Sequence, residues 1–79
     1  MREYLKQLRI AKNMSMQDVA DAFGISRQYY DMIESGERQK KMDFTLVTKI
    51  STLFGISLEK IAEYEQEIFQ NIVNQSEKE

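Results

Sequence analysis

Residues 19–36 read VADAFGISRQYYDMIESG, and the Gly24-Ile25-Ser26 in the middle decides the architecture. Upstream, MQDVADAF (16–23) places Met16, Val19, Ala20 and Phe23 on one face at helical spacing. Gly24 ends that helix where a left-handed backbone costs least, and Ser26 can cap the next one. A connection of three residues is too short for the two helices to lie antiparallel side by side, so they must cross steeply. Val19, Phe23, Ile25, Tyr30 and Ile33 take the buried positions, and Ala20 lets the helices approach closely. Two short helices joined in this way make a helix-turn-helix, whose second helix can enter a DNA major groove.

That second helix carries its charges in the wrong order. Helix dipoles favour acids in the first turn and bases in the last, yet Arg27 follows the Ser26 cap while Asp31 and Glu34 sit toward the end. Working outward, REYLKQLRIAKN (2–13) is a first helix with Leu5, Leu8 and Ala11 on a core-facing stripe, and Asn13 offers a stop. Ser15 caps the next helix, with Asp18 completing a capping box. Asp43 caps a fourth helix, whose apolar positions are Phe44, Leu46, Val47, Ile50, Leu53 and Phe54, and Gly55 closes it. Ser57 caps a fifth that reaches about Asn74 before a frayed end at 75–79. The expected class is all-α: a compact five-helix domain with an extended amphipathic C-terminal helix. No strand, repeat or low-complexity linker is legible.

Composition narrows the function. At 79 residues one small domain is expected, burying only ~60% of its unfolded surface. With neither histidine nor cysteine, the chain lacks the commonest general base, the thiol nucleophile and the usual zinc ligands, so neither catalytic nor metal residues are expected, and no cofactor. No apolar run approaches the ~20 residues that span a bilayer, and no signal peptide is legible, so the expected compartment is the cytoplasm. The net charge of −2 is unevenly spread: residues 1–60 hold ten Lys or Arg against eight Asp or Glu, residues 61–79 one against five. A local basic patch can therefore still serve a polyanion.

VADAFGISRQYYDMIESG resembles the helix-turn-helix of the Cro and phage-repressor (XRE) family of bacterial DNA-binding proteins. LRIAKNMS (8–15) is similar to the family's first helix and FTLVTKISTLFGISLEKI (44–61) to its fourth and fifth, so the likeness spans roughly residues 4–61. Three features depart from the pattern. Met16 stands where a phosphate-contacting glutamine is common, the loop after Gly36 is longer, and the proline usual before the fourth helix is absent.

The resemblance implies a lambda-repressor-like fold, no enzyme activity, and a double-stranded DNA operator as partner. It also explains the reversed charges, since a helix end aimed between phosphates gains more from the DNA field than the ~0.3–1 kcal/mol a cation loses to the dipole. Arg27 can fork to guanine O6 and N7, and Gln28 can pair with adenine N6 and N7. Met32, one turn on, suits a thymine methyl. Ser26, Gln17, Arg38, Lys40 and Lys41 are expected phosphate contacts, which fix register without reading sequence. Tyr29 either joins them or is an ordinary exposed tyrosine. Tyr30 reads as core, with a hydroxyl that needs a polar exit. Glu34 needs a cation, and Arg9 occupies the position from which family members form a structural ion pair with it.

In the last helix Ile61, Ala62, Ile68, Phe69, Ile72 and Val73 fall within an arc of about 140°, with Glu65 inside it as a kink or an edge. The expected division is a DNA-binding domain at 1–61, a helical extension at 62–74 and a tail at 75–79. Ile68, Phe69, Ile72 and Val73 then form either a homodimer contact, the preferred reading, or a face folded back on Tyr4 and Ile10. The expected function is a sequence-specific transcription regulator, a repressor, binding a palindromic operator as a dimer. The alternative is an antitoxin or protein-interaction module that uses the same fold with weak or no DNA binding. No membrane contact or small-molecule substrate is expected.

Overall fold

Every helix after the first starts where a side chain satisfies an orphan backbone donor. In a computed structural model, which describes residues 1–77 and their side chains through residue 68, the elements are α1 (Glu3–Ala11), α2 (Met16–Phe23), α3 (Arg27–Ser35), α4 (Phe44–Phe54) and α5 (Leu58–Glu77). At the start of α2 the Ser15 hydroxyl accepts from the Asp18 amide at 3.0 Å, and the Ser15 amide donates back to the Asp18 carboxylate at 2.9 Å. Ser26, Asp43 and Ser57 cap α3, α4 and α5 by accepting from the amides of Tyr29, Leu46 and Lys60 at 3.0, 2.8 and 3.1 Å. Helix ends use the left-handed region: Gly24 at φ +72° closes α2, and Asn13, a residue that tolerates this conformation, turns the chain after α1 at φ +60°. No strand occurs among the described residues.

One core joins all five helices: Leu5 from α1, Val19, Ala20 and Phe23 from α2, Tyr30 and Ile33 from α3, Leu46 and Ile50 from α4, and Ile61 from α5. Each large aliphatic side chain buried there is worth roughly 1.5–3 kcal/mol. The Phe23 and Tyr30 rings meet edge to face at 6.2 Å between centroids, fastening the two helices of the helix-turn-helix to each other. Lys49 donates to the Phe23 carbonyl at 2.7 Å, tying α4 to the end of α2.

The structure differs from the sequence reading at several apolar positions. Phe44 is 77% exposed, because it lies two residues, or about 200°, from the core-facing Leu46 on α4. Ala11 is exposed and Leu8 and Ile25 are only half-buried, which leaves Leu5 as the buried residue of α1.

Glu65 marks neither a kink nor an edge. The helix runs unbroken through it, and its carboxylate meets the Arg2 guanidinium at 2.9 Å and accepts from the Tyr4 hydroxyl at 2.5 Å. One turn of α5 therefore folds back on α1, and the Tyr4 and Tyr64 rings stack at 4.7 Å with 14° between their planes. Ile10 takes no share in this contact and is 51% exposed. The expected extension at 62–74 belongs to the same continuous helix, and the expected tail overlaps its last turn. Ile68 is half-buried; the side chains of Phe69, Ile72 and Val73 lie outside the described residues. Among the described residues no helix is long and apolar enough to cross a membrane.

Candidate nucleic-acid interface

The candidate surface begins at the N-terminus of α3, where the Ser26 hydroxyl accepts the capping bond and keeps its proton free to donate, and the first turn contains no acid. Arg27 and Gln28 follow, both exposed. Met32 lies a turn further on and is half-buried, so only part of its side chain is open to a groove. Its carbonyl takes the amides of Gly36, Glu37 and Arg38 at 3.1, 2.9 and 3.2 Å, wrapping the chain tightly around the end of α3.

Tyr29 is half-buried, and its phenolic oxygen accepts from the Gln39 side-chain amide at 2.9 Å. That bond uses a lone pair and leaves the phenolic proton free to donate, as a phosphate oxygen requires. The basic loop between α3 and α4 exposes Arg38, Lys40 and Lys41. Gln17 is exposed at the start of α2, but its side-chain amide already donates to Asp21 at 2.8 Å. Met16, in place of a polar residue at that helix start, is half-buried against the core.

Behind this surface Arg9 and Glu34 form a two-pronged pair, Nε to Oε2 and Nη2 to Oε1, each at 3.1 Å. The Glu34 side chain is only 2% exposed and that of Arg9 13%. The hydrogen bond to Glu34 raises the pKa of Arg9 further above its already high range. Tyr30 lies beside this pair, and its buried hydroxyl faces the Arg9 and Glu34 side chains without making a well-formed hydrogen bond to either. Burial first, and then the neighbouring Glu34 carboxylate, push its ionisation well above the usual phenol range.

Arg2, Tyr4, Gln39 and Glu65 carry no motif that marks them as site residues in the sequence. Arg2 is 3% exposed and links the last turn of α3 to Glu65 inside α5. Its one sequence signal is indirect: an acid within the apolar arc of the last helix needs a buried cation. Among the described residues no group of three acidic, His or Cys side chains could hold a metal ion. An open groove between the basic loop, α4 and α5 has an apolar floor of Met42, Val47, Leu58 and Ile61.

A capped helix presenting a basic and an amide side chain, packed on a short partner helix across a tight turn and followed by a basic loop, has the form of a helix-turn-helix. The helix-turn-helix family profile matches residues 5–61, and the chain belongs to that family, of the XRE type, whose members are DNA-binding transcription regulators. It is similar to the SPbeta prophage-derived HTH-type transcriptional regulator YonR of Bacillus subtilis, with 40% identity over 55 residues, covering 70% of this chain and 49% of YonR. An HTH-type transcriptional regulator of Methanocaldococcus jannaschii is 34% identical over 67 residues, 85% of this chain and 98% of that one. A third relative, the HTH-type transcriptional regulator YqaE of B. subtilis, is 32% identical over 71 residues, 87% of this chain and 60% of YqaE. The chain thus spans about half of YonR but nearly all of the archaeal relative. No solved structure shows a significant match.

Proposed function

We propose that this chain is a sequence-specific double-stranded DNA-binding repressor that places α3, from Arg27 to Glu34, in the major groove. Arg27 and Gln28 read base edges and Met32 contacts a thymine methyl. Ser26, Tyr29, Arg38, Lys40, Lys41 and Gln17 hold phosphates. The observation that carries this reading is the first turn of α3, which is capped, free of acid and open to solvent at Arg27 and Gln28. A cation placed there is unfavourable for the isolated helix and favourable beside phosphates. The kinship with HTH-type regulators supports the same conclusion.

Residues 1–61 form the DNA-binding unit, and the stripe from Ile68 to Val73 within 62–74 joins two copies on an inverted repeat with half-sites ~34–36 Å apart. Binding to a mixed-sequence duplex across a salt series tests the core of the proposal. Affinity should fall steeply between 50 and 200 mM salt, by about tenfold or more for each few phosphates contacted. Flat, weak retention would instead favour a protein-interaction module. That second reading has one observation behind it: Phe44 and Leu58 are 77% and 45% exposed.

A further inference from the structure

The loop that carries Arg38, Lys40 and Lys41 is held from beneath by a single buried side chain. A guanidinium has five N–H donors in a fixed fork. In Arg2 they meet the carbonyls of Ile33 at 2.7 Å, Arg38 at 3.1 Å and Gln39, together with both oxygens of Glu65. The backbone amide of Arg2 adds a bond to the Glu34 carbonyl at 2.8 Å. The cation therefore sits at the C-terminus of α3, where the helix dipole favours it, and ties the last turn of that helix, the following loop and α5 together.

Gln39 is the residue through which the loop is gripped. Its backbone lies at φ +57°, a conformation that L side chains rarely adopt and that persists only where surroundings enforce it. Arg2 holds its carbonyl from inside. Its side chain accepts from the Asp43 amide at 3.0 Å and donates to the Asp43 carboxylate at 3.1 Å and the Tyr29 hydroxyl at 2.9 Å. The loop is thus pinned at its midpoint while the flanking basic side chains remain exposed.

We infer that Arg2, locked by Glu65, is a positioning residue for DNA backbone contact: it fixes the 38–41 loop so that its cations meet phosphates without first being ordered. Phosphate contacts set register, so the loop geometry bears on affinity for every sequence alike. The same link makes the loop depend on where α5 lies, because the carboxylate that completes the fork belongs to α5. The inference rests on the DNA-binding reading.

Two substitutions in the full chain test it. Arg2→Lys keeps the charge but offers three donors from a point instead of five in a fork. Glu65→Gln keeps the shape and removes the anion. Should Arg2→Lys fail to fold, Glu65→Gln, which keeps an acceptor beside the fork but no longer locks the guanidinium against the loop carbonyls, gives the same readouts. Hydrogen exchange at the Glu37, Arg38 and Asp43 amides should speed up by about tenfold or more, with α2 and α4 amides unchanged. Affinity for mixed-sequence duplex should fall, and the slope of log K against log salt should drop by about 0.9 for each phosphate no longer neutralised. The Lys40→Ala, Lys41→Ala double variant should lower the slope without loosening the loop. Unchanged loop exchange in both variants would overturn the inference, as would a loosened loop with unaltered affinity and slope. A wild-type chain that fails to bind duplex DNA at any salt would overturn the functional reading and the phosphate role together, a result separate from either of these.

Discussion

Arg9 in the last turn of α1 and Glu34 in the last turn of α3 face each other through two parallel bonds of 3.1 Å, with the Glu34 side chain almost fully buried. The pair holds the C-terminal end of α3 against α1, about two turns along the helix from Arg27. Arg9 also donates to the Met14 carbonyl at 3.3 Å, so the link between α1 and α2 is held by the same side chain.

Removing one partner leaves a buried charge, which costs far more than the pair itself contributes. Arg9→Ala is therefore expected to destabilise the fold by ~3–5 kcal/mol, well above the ~0–1 of an exposed pair. Denaturant melts of both single variants and the double variant give the coupling. Strict additivity would show that the two residues do not stabilise each other.

Tyr30 predicts the opposite sign. Its hydroxyl is buried beside Arg9 and Glu34 without a well-formed bond to either, so Tyr30→Phe removes a polar group that has little hydrogen bonding to lose. Stability should stay level or rise by up to ~1 kcal/mol. A loss beyond ~1 kcal/mol in the same melts would mean the hydroxyl is bonded in solution.

Alkaline pH supplies an independent check. Tyr4 is pushed up by burial and then by its bond to Glu65, and Tyr30 by burial and then by Glu34. Both phenols stay protonated in the folded chain at a pH where they ionise in the unfolded one. Their contribution is complete below the ordinary phenol value of about 10 and is lost as pH rises above it. Melts between pH 8 and pH 11 should show stability falling only above about pH 10, with two of the tyrosines ionising late in ultraviolet titration. Four tyrosines titrating together near the ordinary value would contradict the burial of Tyr4 and Tyr30.

Gly24 separates backbone strain from crowding. A Cβ added there meets nothing within 4 Å, so the cost of Gly24→Ala comes from φ +72° alone. A loss of ~1–2 kcal/mol is expected, with Gly24→Asn milder. Equal losses for alanine and asparagine would point to a different cause.

Dimerisation is tested by the choice of truncation point. Cutting after Tyr64 also removes Glu65 and so unlocks Arg2, whereas cutting after Gln66 keeps that link and removes the stripe from Ile68 onward. The chain ending at Gln66 should sediment as a folded monomer and bind an inverted repeat much more weakly than the full chain. A full chain that remains monomeric at high micromolar concentration, with the shortened one binding equally well, would remove the dimer from the proposal.

The helices were legible because their signals are local. Ser15 with Asp18, Ser26, Asp43 and Ser57 act on amides three residues away, and Gly24 and Gly55 mark ends whatever the rest of the chain does. The Arg2 link was not legible, because its partner lies 63 residues away and neither residue carries a pattern that names the other. Glu65 was visible as an acid among apolar residues, but what it pairs with depends on how α5 folds back. Phe44 differs for a simpler reason: its apolar type suggests core, whereas its place about 200° from Leu46 around α4 turns it to solvent. At the reading surface, position in the motif marks Arg27 and Gln28, whereas Gln39 became recognisable only when its backbone angle and its three side-chain bonds were seen together.

The most direct test is selection from a randomised duplex library with the wild-type chain and the Arg27→Ala and Gln28→Ala variants in parallel. Wild type should enrich an inverted repeat with half-sites about one helical turn apart. Each variant should bind that sequence ~1–3 kcal/mol more weakly, lose preference at one base pair per half-site, and keep most of its affinity for scrambled duplex. Absence of any enriched sequence with wild type, or equal losses on enriched and scrambled duplexes in both variants, would contradict base reading by α3.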